Sequence, residues 1–146
     1  LAKDVEVIKG AKDSSGDWEN LKAYIQLTKD LDFSVLSGND SLILPALKEG
    51  GVGGIAGCSN VYPKVLSSIY ELFQEGKLDE AQAAQDSIAS FRAVFKYGNP
   101  NTVVKTAVAM LGYNVGKCRA PFNQLPQEGL EALEKVLQEN KDKGMC

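Results

Sequence analysis

The stretch Lys9-Gly10-Ala11-Lys12-Asp13-Ser14-Ser15-Gly16-Asp17 decides how this chain folds. It reads as the end of a buried strand, a lysine at the strand terminus, and a turn of small residues opening into a helix. The strand is expected over Val5–Lys12, with Val5, Val7 and Ala11 on one face and Ile8, Gly10 and Lys12 on the other. Both faces lean apolar, as in a parallel sheet covered on two sides. Lys9 is the odd residue, and its stem is expected to reach out past a covering helix. Asp17 is the expected N-cap of a helix over Trp18–Lys29 whose stripe is Trp18, Leu21, Tyr24, Ile25 and Leu27. A lysine at the carboxyl end of a parallel strand stands where α/β folds place their chemistry.

Outward from that stretch the pattern repeats. A second strand is expected over Phe33–Gly38, then a short helix over Ser41–Lys48 in which Pro45 is tolerable near the first turn. Gly50-Gly51 stops that helix. A third, glycine-rich strand is expected over Val52–Cys58, followed by a helix capped by Asn60 and running to Glu75. From Leu78 the period is helical only, with helices expected over 79–97, 102–111 and 126–143, and a loop between Tyr113 and Leu125. Three βα units with short connections predict a parallel sheet. A full (β/α)8 TIM barrel needs about 250 residues, so an α/β fold is expected that is the second part of such a barrel. Residues 1–77 would be the partial barrel and 78–146 a C-terminal three-helix appendage. A strand so close to Leu1 points to a chain that starts in the middle of a longer one.

Composition narrows the chemistry. The 146 residues are 44% hydrophobic and 24% charged with net charge −3, an ordinary globular balance. No lysine- or arginine-rich block interleaves with aromatics, so neither nucleic acid nor a membrane surface is expected as a partner. The chain has no histidine, which removes histidine-based triads, His-dependent zinc sites and imidazole acid–base steps from its own repertoire. Cys58, Cys118 and Cys146 are odd in number and far apart, which favours a reduced, cytoplasmic protein with no metal site. No apolar run approaches the roughly 20 residues of a membrane span.

Together the strand ends offer Lys12, then Gly38-Asn39-Asp40, then Ile55 to Ser59. A lysine there can add to a ketone and form a Schiff base, an electron sink for making or breaking carbon–carbon bonds. The amine must be unprotonated to attack, and bringing its pKa from about 10.4 to about 7.5 takes roughly 4 kcal/mol of desolvation or neighbouring positive charge. Gly10 and the glycines of the third strand would leave room for a ketoacid beside it. Each residue also has an ordinary role. Lys12 reads equally as a solvated lysine paired with Asp13, because charged strand ends are common. Asp40 reads as a helix N-cap, the third-strand glycines as tight packing or a bulge, Cys58 as a small buried hydrophobe, and Arg119 as surface.

The motifs Gly10-Ala11-Lys12-Asp13-Ser14-Ser15-Gly16-Asp17, Ser37-Gly38-Asn39-Asp40, Gly53-Gly54-Ile55-Ala56 and Asn99-Pro100 before a helix occur in register along the chain. In this the chain resembles the dihydrodipicolinate synthase / N-acetylneuraminate lyase family. The resemblance implies a metal-independent, cofactor-free class I enzyme on a (β/α)8 barrel with a C-terminal helical appendage, assembled as a homotetramer. It implies that Lys12 forms the covalent imine with pyruvate, that Ile55 offers a backbone carbonyl beside the pyruvate site, and that Gly38, Asn39 and Asp40 face the second substrate.

It also implies an absence. The resemblance covers the sixth strand onward, and the family's paired threonines, proton-relaying tyrosine and arginine belong to earlier strands. Tyr24, Tyr62, Tyr70, Tyr97 and Tyr113 lie on expected helices or loops, so the isolated chain is expected to be at best a very poor catalyst. The lyases for sialic acids carry an acidic residue where Ser41 stands and a hydroxyl where Gly57 stands, which points away from that substrate. The Asn-Asp turn and the Asn99-Pro100 helix start resemble the synthase branch, 4-hydroxy-tetrahydrodipicolinate synthase of lysine biosynthesis, which condenses pyruvate with aspartate semialdehyde. Aldolases of 2-keto-3-deoxy sugar acids share the lysine. The alternative outside enzymology is an inactive piece or an oligomerisation module. The partners expected are a ketoacid, an aldehyde, the missing part of the barrel and further copies of the protein.

Overall fold

The structure, a computed structural model, describes residues 1–122 and 124–145. The chain divides into two compact units, one of residues 1–56 and 68–85, the other of residues 57–67 and the chain from residue 86 onward.

In the first unit, strand β1 (Gly10–Asp13) pairs in parallel with β2 (Ser34–Ser37), and β2 pairs in parallel with β3 (Gly53–Gly54). The order β1-β2-β3 follows the chain, with Lys12 opposite Leu36 and Asp13 opposite Ser37. Helix α1 (Trp18–Thr28) follows β1. A single 3-10 turn at Asp40–Leu42 leads from β2 into α2 (Ile43–Glu49). Leu21, Ile25, Val35 and Ala46 form a core between sheet and helices, with Trp18, Phe33 and Leu42 packed against it. Trp18, Leu21 and Ile25 recur three and four residues apart and so share one helix face. Tyr24 and Leu27 fall outside that face, and Leu27 is 77% exposed, so the buried stripe is narrower than expected. Pro45 lies in the first turn of α2 as expected. Gly50 ends the helix at φ +108°, and the Gly51 N–H returns 2.7 Å to the Ala46 carbonyl.

The strands are shorter than expected, for identifiable reasons. Residues 5–8 have no partner strand among the described residues, and their backbone turns on itself instead, with Val5 N–H on the Leu1 carbonyl at 2.9 Å and Ile8 N–H on the Val5 carbonyl at 3.0 Å. Lys9 does reach outward, to Asp32 at 2.8 Å. In β3, Gly53 has φ +153°, which residues with a Cβ rarely adopt, and a Cβ on Gly54 would lie 2.7 Å from Ile43 Cγ1. The ladder continues on either side of β3 through Val52 N–H to Val35 O at 2.9 Å and Ile55 N–H to Ser37 O at 2.8 Å.

Side chains alternate across this sheet. Asp13, Val35 and Ser37 are buried on the helix side. On the other side Lys12 and Ser34 are exposed and Leu36 is half-buried. Of the two covered faces expected, one is covered among the described residues. The bare face is the one that carries Lys12.

The first unit also includes the start of α4 (Leu78–Ser87), where Ala81 and Gln85 are buried. Helix α3 (Pro63–Gln74) begins at a proline, whose missing N–H costs nothing in a first turn. Asn60 is therefore not its cap. It closes a 3-10 turn at Gly57–Asn60 by donating Nδ2–H to the Gly57 carbonyl at 3.0 Å.

In the second unit the single helix expected over 79–97 is broken. After α4 come α5 (Ala89–Arg92) and a 3-10 segment at Ala93–Tyr97. The tighter segment follows the aromatic packing, with Phe91 edge-on to Tyr62 at 5.3 Å and to Phe95 at 5.7 Å. Helix α6 (Pro100–Met110) is capped by Asn99, whose side chain accepts the Asn101 N–H at 2.9 Å. Helix α7 (Gln127–Asp142) buries Gly129, Leu133, Leu137 and Asn140. Asn140 is 1% exposed and donates to the Tyr62 hydroxyl at 2.9 Å, while Ser90 Oγ donates to it at 3.4 Å. A Cβ on Gly57 would meet only Val104 Cγ2, at an ordinary 3.9 Å, so this third glycine is not forced by packing. Cys58 is a buried thiol and Cys118 a half-buried one. Cys146 lies outside the described residues. No helix among the described residues is long and apolar enough to cross a membrane.

Candidate functional site

The carboxyl ends of β1, β2 and β3 meet at one edge of the first unit. There the β1–α1 turn is held by a relay of small polar side chains. Asp13, 7% exposed, accepts the Ser15 N–H at 3.0 Å and the Ser15 hydroxyl at 2.9 Å. Ser15 Oγ accepts the Asp17 N–H at 3.1 Å, and Asp17 caps α1 by accepting Glu19 N–H at 2.9 Å. The carboxylate next to the lysine is therefore turned to the helix side and engaged with Ser15. The ordinary pairing of Lys12 with Asp13 does not occur. Among the described residues Lys12 has no ion-pair partner.

Lys12 instead runs over the end of β2. The Gly38 N–H donates to the Asp13 carbonyl at 2.6 Å, drawing the two strand ends together. A Cβ on Gly38 would lie 2.7 Å from that carbonyl, 2.8 Å from Lys12 Cε, and against Ser14 Oγ. The Lys12 chain thus occupies the space that any side chain at position 38 would take. The lysine is exposed, yet it lies against the end of the next strand rather than away from the sheet. Gly10 answers to a different constraint. A Cβ there would fall 2.5 Å from the Ser34 carbonyl, so this glycine serves strand approach rather than ligand room.

Ile55 follows directly on the third strand end. Its N–H extends the ladder to Ser37, its side chain is 50% exposed, and its carbonyl accepts no hydrogen bond among the described residues. Asn39 uses Oδ1 to accept Ser41 N–H at 3.0 Å and Ser41 Oγ–H at 2.8 Å, so Asn39, not Asp40, caps the turn into α2. Ser37, fully buried, braces the same turn by accepting Asn39 N–H at 3.2 Å and donating to the Asn39 carbonyl at 2.9 Å. Asp40 is 6% exposed at the start of the 3-10 turn. Lys12, Gly38 and Ile55 come together at the strand ends, with Asn39 and Asp40 in the turn just beyond Gly38.

One residue of this neighbourhood escaped the sequence reading. Gln85 of α4, 6% exposed, donates Nε2–H to the Asp40 carbonyl at 2.8 Å and accepts Leu44 N–H on Oε1 at 3.0 Å. Its signal was available. Ala81, Gln85 and Ile88 are four and three residues apart, so a glutamine stands where the buried stripe calls for an apolar residue.

A primary amine on a bare sheet face, lying against a glycine at the end of the next strand, is equipped to add to an electrophilic carbonyl carbon. Among the described residues no three Cys, Asp or Glu side chains cluster as metal ligands.

Comparison with known proteins points the same way. The model of the dihydrodipicolinate synthetase family matches residues 1–140. The 4-hydroxy-tetrahydrodipicolinate synthase of Methanospirillum hungatei is 38% identical over 138 residues, which is 94% of this chain and 47% of that protein. The solved 4-hydroxy-tetrahydrodipicolinate synthase of Methylacidiphilum fumariolicum superposes with TM-score 0.87 at 32% identity, over 98% of this chain and 47% of that one. A variant of the 2-keto-3-deoxygluconate aldolase of Sulfolobus solfataricus superposes with TM-score 0.80 at 26% identity, over 92% of this chain and 46% of that one. The chain spans about half the length of the relatives it matches. It belongs to the dihydrodipicolinate synthetase family, as the last βα units of that family's (β/α)8 barrel followed by its C-terminal helices.

Proposed function

We propose that the complete protein containing this chain is a 4-hydroxy-tetrahydrodipicolinate synthase, joining pyruvate to aspartate semialdehyde through a Schiff base on Lys12. The observation that carries the proposal is Lys12 itself, unpaired with any carboxylate among the described residues and lying across Gly38. Its Nζ adds to the C2 carbonyl of pyruvate, water leaves, and a protonated imine forms. The imine draws electrons from the adjacent methyl carbon, which loses a proton and attacks the aldehyde carbon of the acceptor. The new carbon–carbon bond takes the electron pair, and the former aldehyde oxygen takes a proton. The covalent imine does the work of an electron sink, so the reaction calls on no added cofactor.

Ile55 would supply its unpaired carbonyl to the pyruvate side. Gly38, Asn39 and Asp40 would line the acceptor side. The bare face of the sheet would be closed by the remaining strands of the barrel, and those strands would bring the proton-shuttling groups that the strand ends here lack. Copies of the complete protein would then assemble into a homo-oligomer.

The likeness to a 2-keto-3-deoxygluconate aldolase supports a second reading, cleavage of a 2-keto-3-deoxy sugar acid by the same lysine. The complete protein, assayed in parallel with pyruvate plus aspartate semialdehyde and with 2-keto-3-deoxygluconate, separates the two. Condensation of the first pair at the higher kcat/KM is expected. Turnover of the sugar acid alone would replace the synthase reading by the aldolase one.

A further inference from the structure

We infer that Gln85 is a positioning residue for the acceptor side of the Lys12 site, acting through the turn that carries Gly38, Asn39 and Asp40. This rests on the Schiff-base reading above and adds a role that none of the strand-end motifs contains.

Helix α2 begins without a cap of its own. Its N-cap residue is Leu42, whose side chain makes no capping hydrogen bond, so the first-turn N–H groups need partners from elsewhere. Gln85 Oε1 supplies one, accepting Leu44 N–H at 3.0 Å from a position 41 residues away. The same amide donates Nε2–H to the Asp40 carbonyl at 2.8 Å. One buried side chain thus ties the first residue of the 3-10 turn to the helix that follows it.

The glutamine amide donates and accepts at once, at the length this position requires. A glutamate of the same length accepts but does not donate when ionised, a methionine does neither, and an asparagine is one methylene short. Buried backbone groups that lose such partners must find others, and the nearest remedy is a shift of the turn. On its other side the turn is already fixed, because Gly38 N–H is held on the Asp13 carbonyl at 2.6 Å and Ser37 Oγ brackets Asn39. The slack released by losing Gln85 therefore falls on Asp40, beyond Asn39. Lys12 and Ile55 hang from the ladder and are not touched by it.

The consequence is a split between the two substrates. In the complete protein, Gln85→Met and Gln85→Glu are expected to raise KM for the aldehyde roughly tenfold, the scale of one buried hydrogen bond. KM for pyruvate, and the rate at which borohydride traps pyruvate on Lys12, should stay within about twofold of the parent. Gln85→Glu keeps the acceptor for Leu44 N–H and so retains the helix start, which protects the test if Gln85→Met does not fold. An aldehyde KM within about twofold of the parent in a folded variant overturns the inference. So does an equal rise in both KM values, or failure of both variants to fold, since each would make Gln85 a purely structural residue. Absence of any trapped adduct in the unaltered protein is a separate result and refutes the Schiff-base reading instead.

Discussion

Replacing Gly38 with alanine puts the geometry of the strand ends under direct load. The added methyl would stand 2.7 Å from the Asp13 carbonyl and 2.8 Å from Lys12 Cε, and would meet Ser14 Oγ, where ordinary contact begins at 3.4 Å. Ser14 and Lys12 have side chains that can swing aside. The Asp13 carbonyl cannot, because it belongs to β1 and is held by Gly38 N–H at 2.6 Å. Relief requires the two strand ends to part by about 0.7 Å. Overpacking of this kind costs about 1–3 kcal/mol, and stretching the strand-end hydrogen bond adds up to about 1 kcal/mol. Gly38→Ala should therefore cost about 1–4 kcal/mol, a fall of roughly 0.5–2 M in the urea midpoint at unchanged slope. Gly57→Ala is the control. Its Cβ meets only Val104 at 3.9 Å, and the expected change is within about 0.5 kcal/mol. Gly38→Ala should also slow trapping of pyruvate, because Lys12 loses the channel it lies in. Equal stability of the two variants, with trapping at the parental rate in both, would refute the close approach of Lys12 to Gly38.

Further outcomes follow from single contacts. Asp17→Ala removes the N-cap of α1 and should cost about 1 kcal/mol, read by urea unfolding; no change would mean that Asp17 does not cap the helix. Tyr62→Phe leaves the buried Asn140 amide without its 2.9 Å acceptor and should destabilise the protein by about 1–2 kcal/mol, and a neutral result would refute that bond. The Lys9 ammonium, hydrogen-bonded at 2.8 Å, holds the Asp32 carboxyl below its ordinary range. A depressed carboxylate adds stability above its unfolded pKa and loses it as the pH falls through the folded one, and here the effect is small because the pair is exposed. Lys9→Ala should move the Asp32 titration upward, as followed by NMR, and an unmoved titration would contradict the pairing.

What could be read from residues alone, and what could not, divides along local and long-range physics. Asp17 as a cap and Gly50-Gly51 as a stop are signals carried by two or three neighbouring residues, and each acts as expected. The three parallel strands were legible from apolar runs alternating with helical periods. Their lengths were not, because a strand lasts only as long as its neighbour, and residues 5–8 have none among the described residues. The break after Ser87 was hidden for a similar reason, since Phe91 packs against Tyr62, an aromatic partner distant in sequence, and Phe95 packs in turn on Phe91.

At the site, the placement of Lys12, Gly38 and Ile55 followed from strand ends meeting at one edge. Three details lay beyond the sequence. Asp13 was expected beside its neighbouring lysine, but alternation along the strand sends the two side chains to opposite faces. The cap of the turn shifted by one residue, from Asp40 to Asn39, leaving Asp40 buried. Gln85 required a contact across 45 residues, and only its polar character on an apolar stripe hinted at it.

The central claim is that the Lys12 amine becomes covalently joined to a ketoacid. The most direct measurement is borohydride reduction of the complete protein in the presence of pyruvate, followed by peptide mass mapping. A single pyruvate-derived adduct is expected on the peptide containing Lys12, absent when Lys12 is replaced by alanine. An adduct that persists in Lys12→Ala, or none in the active parent, would contradict it.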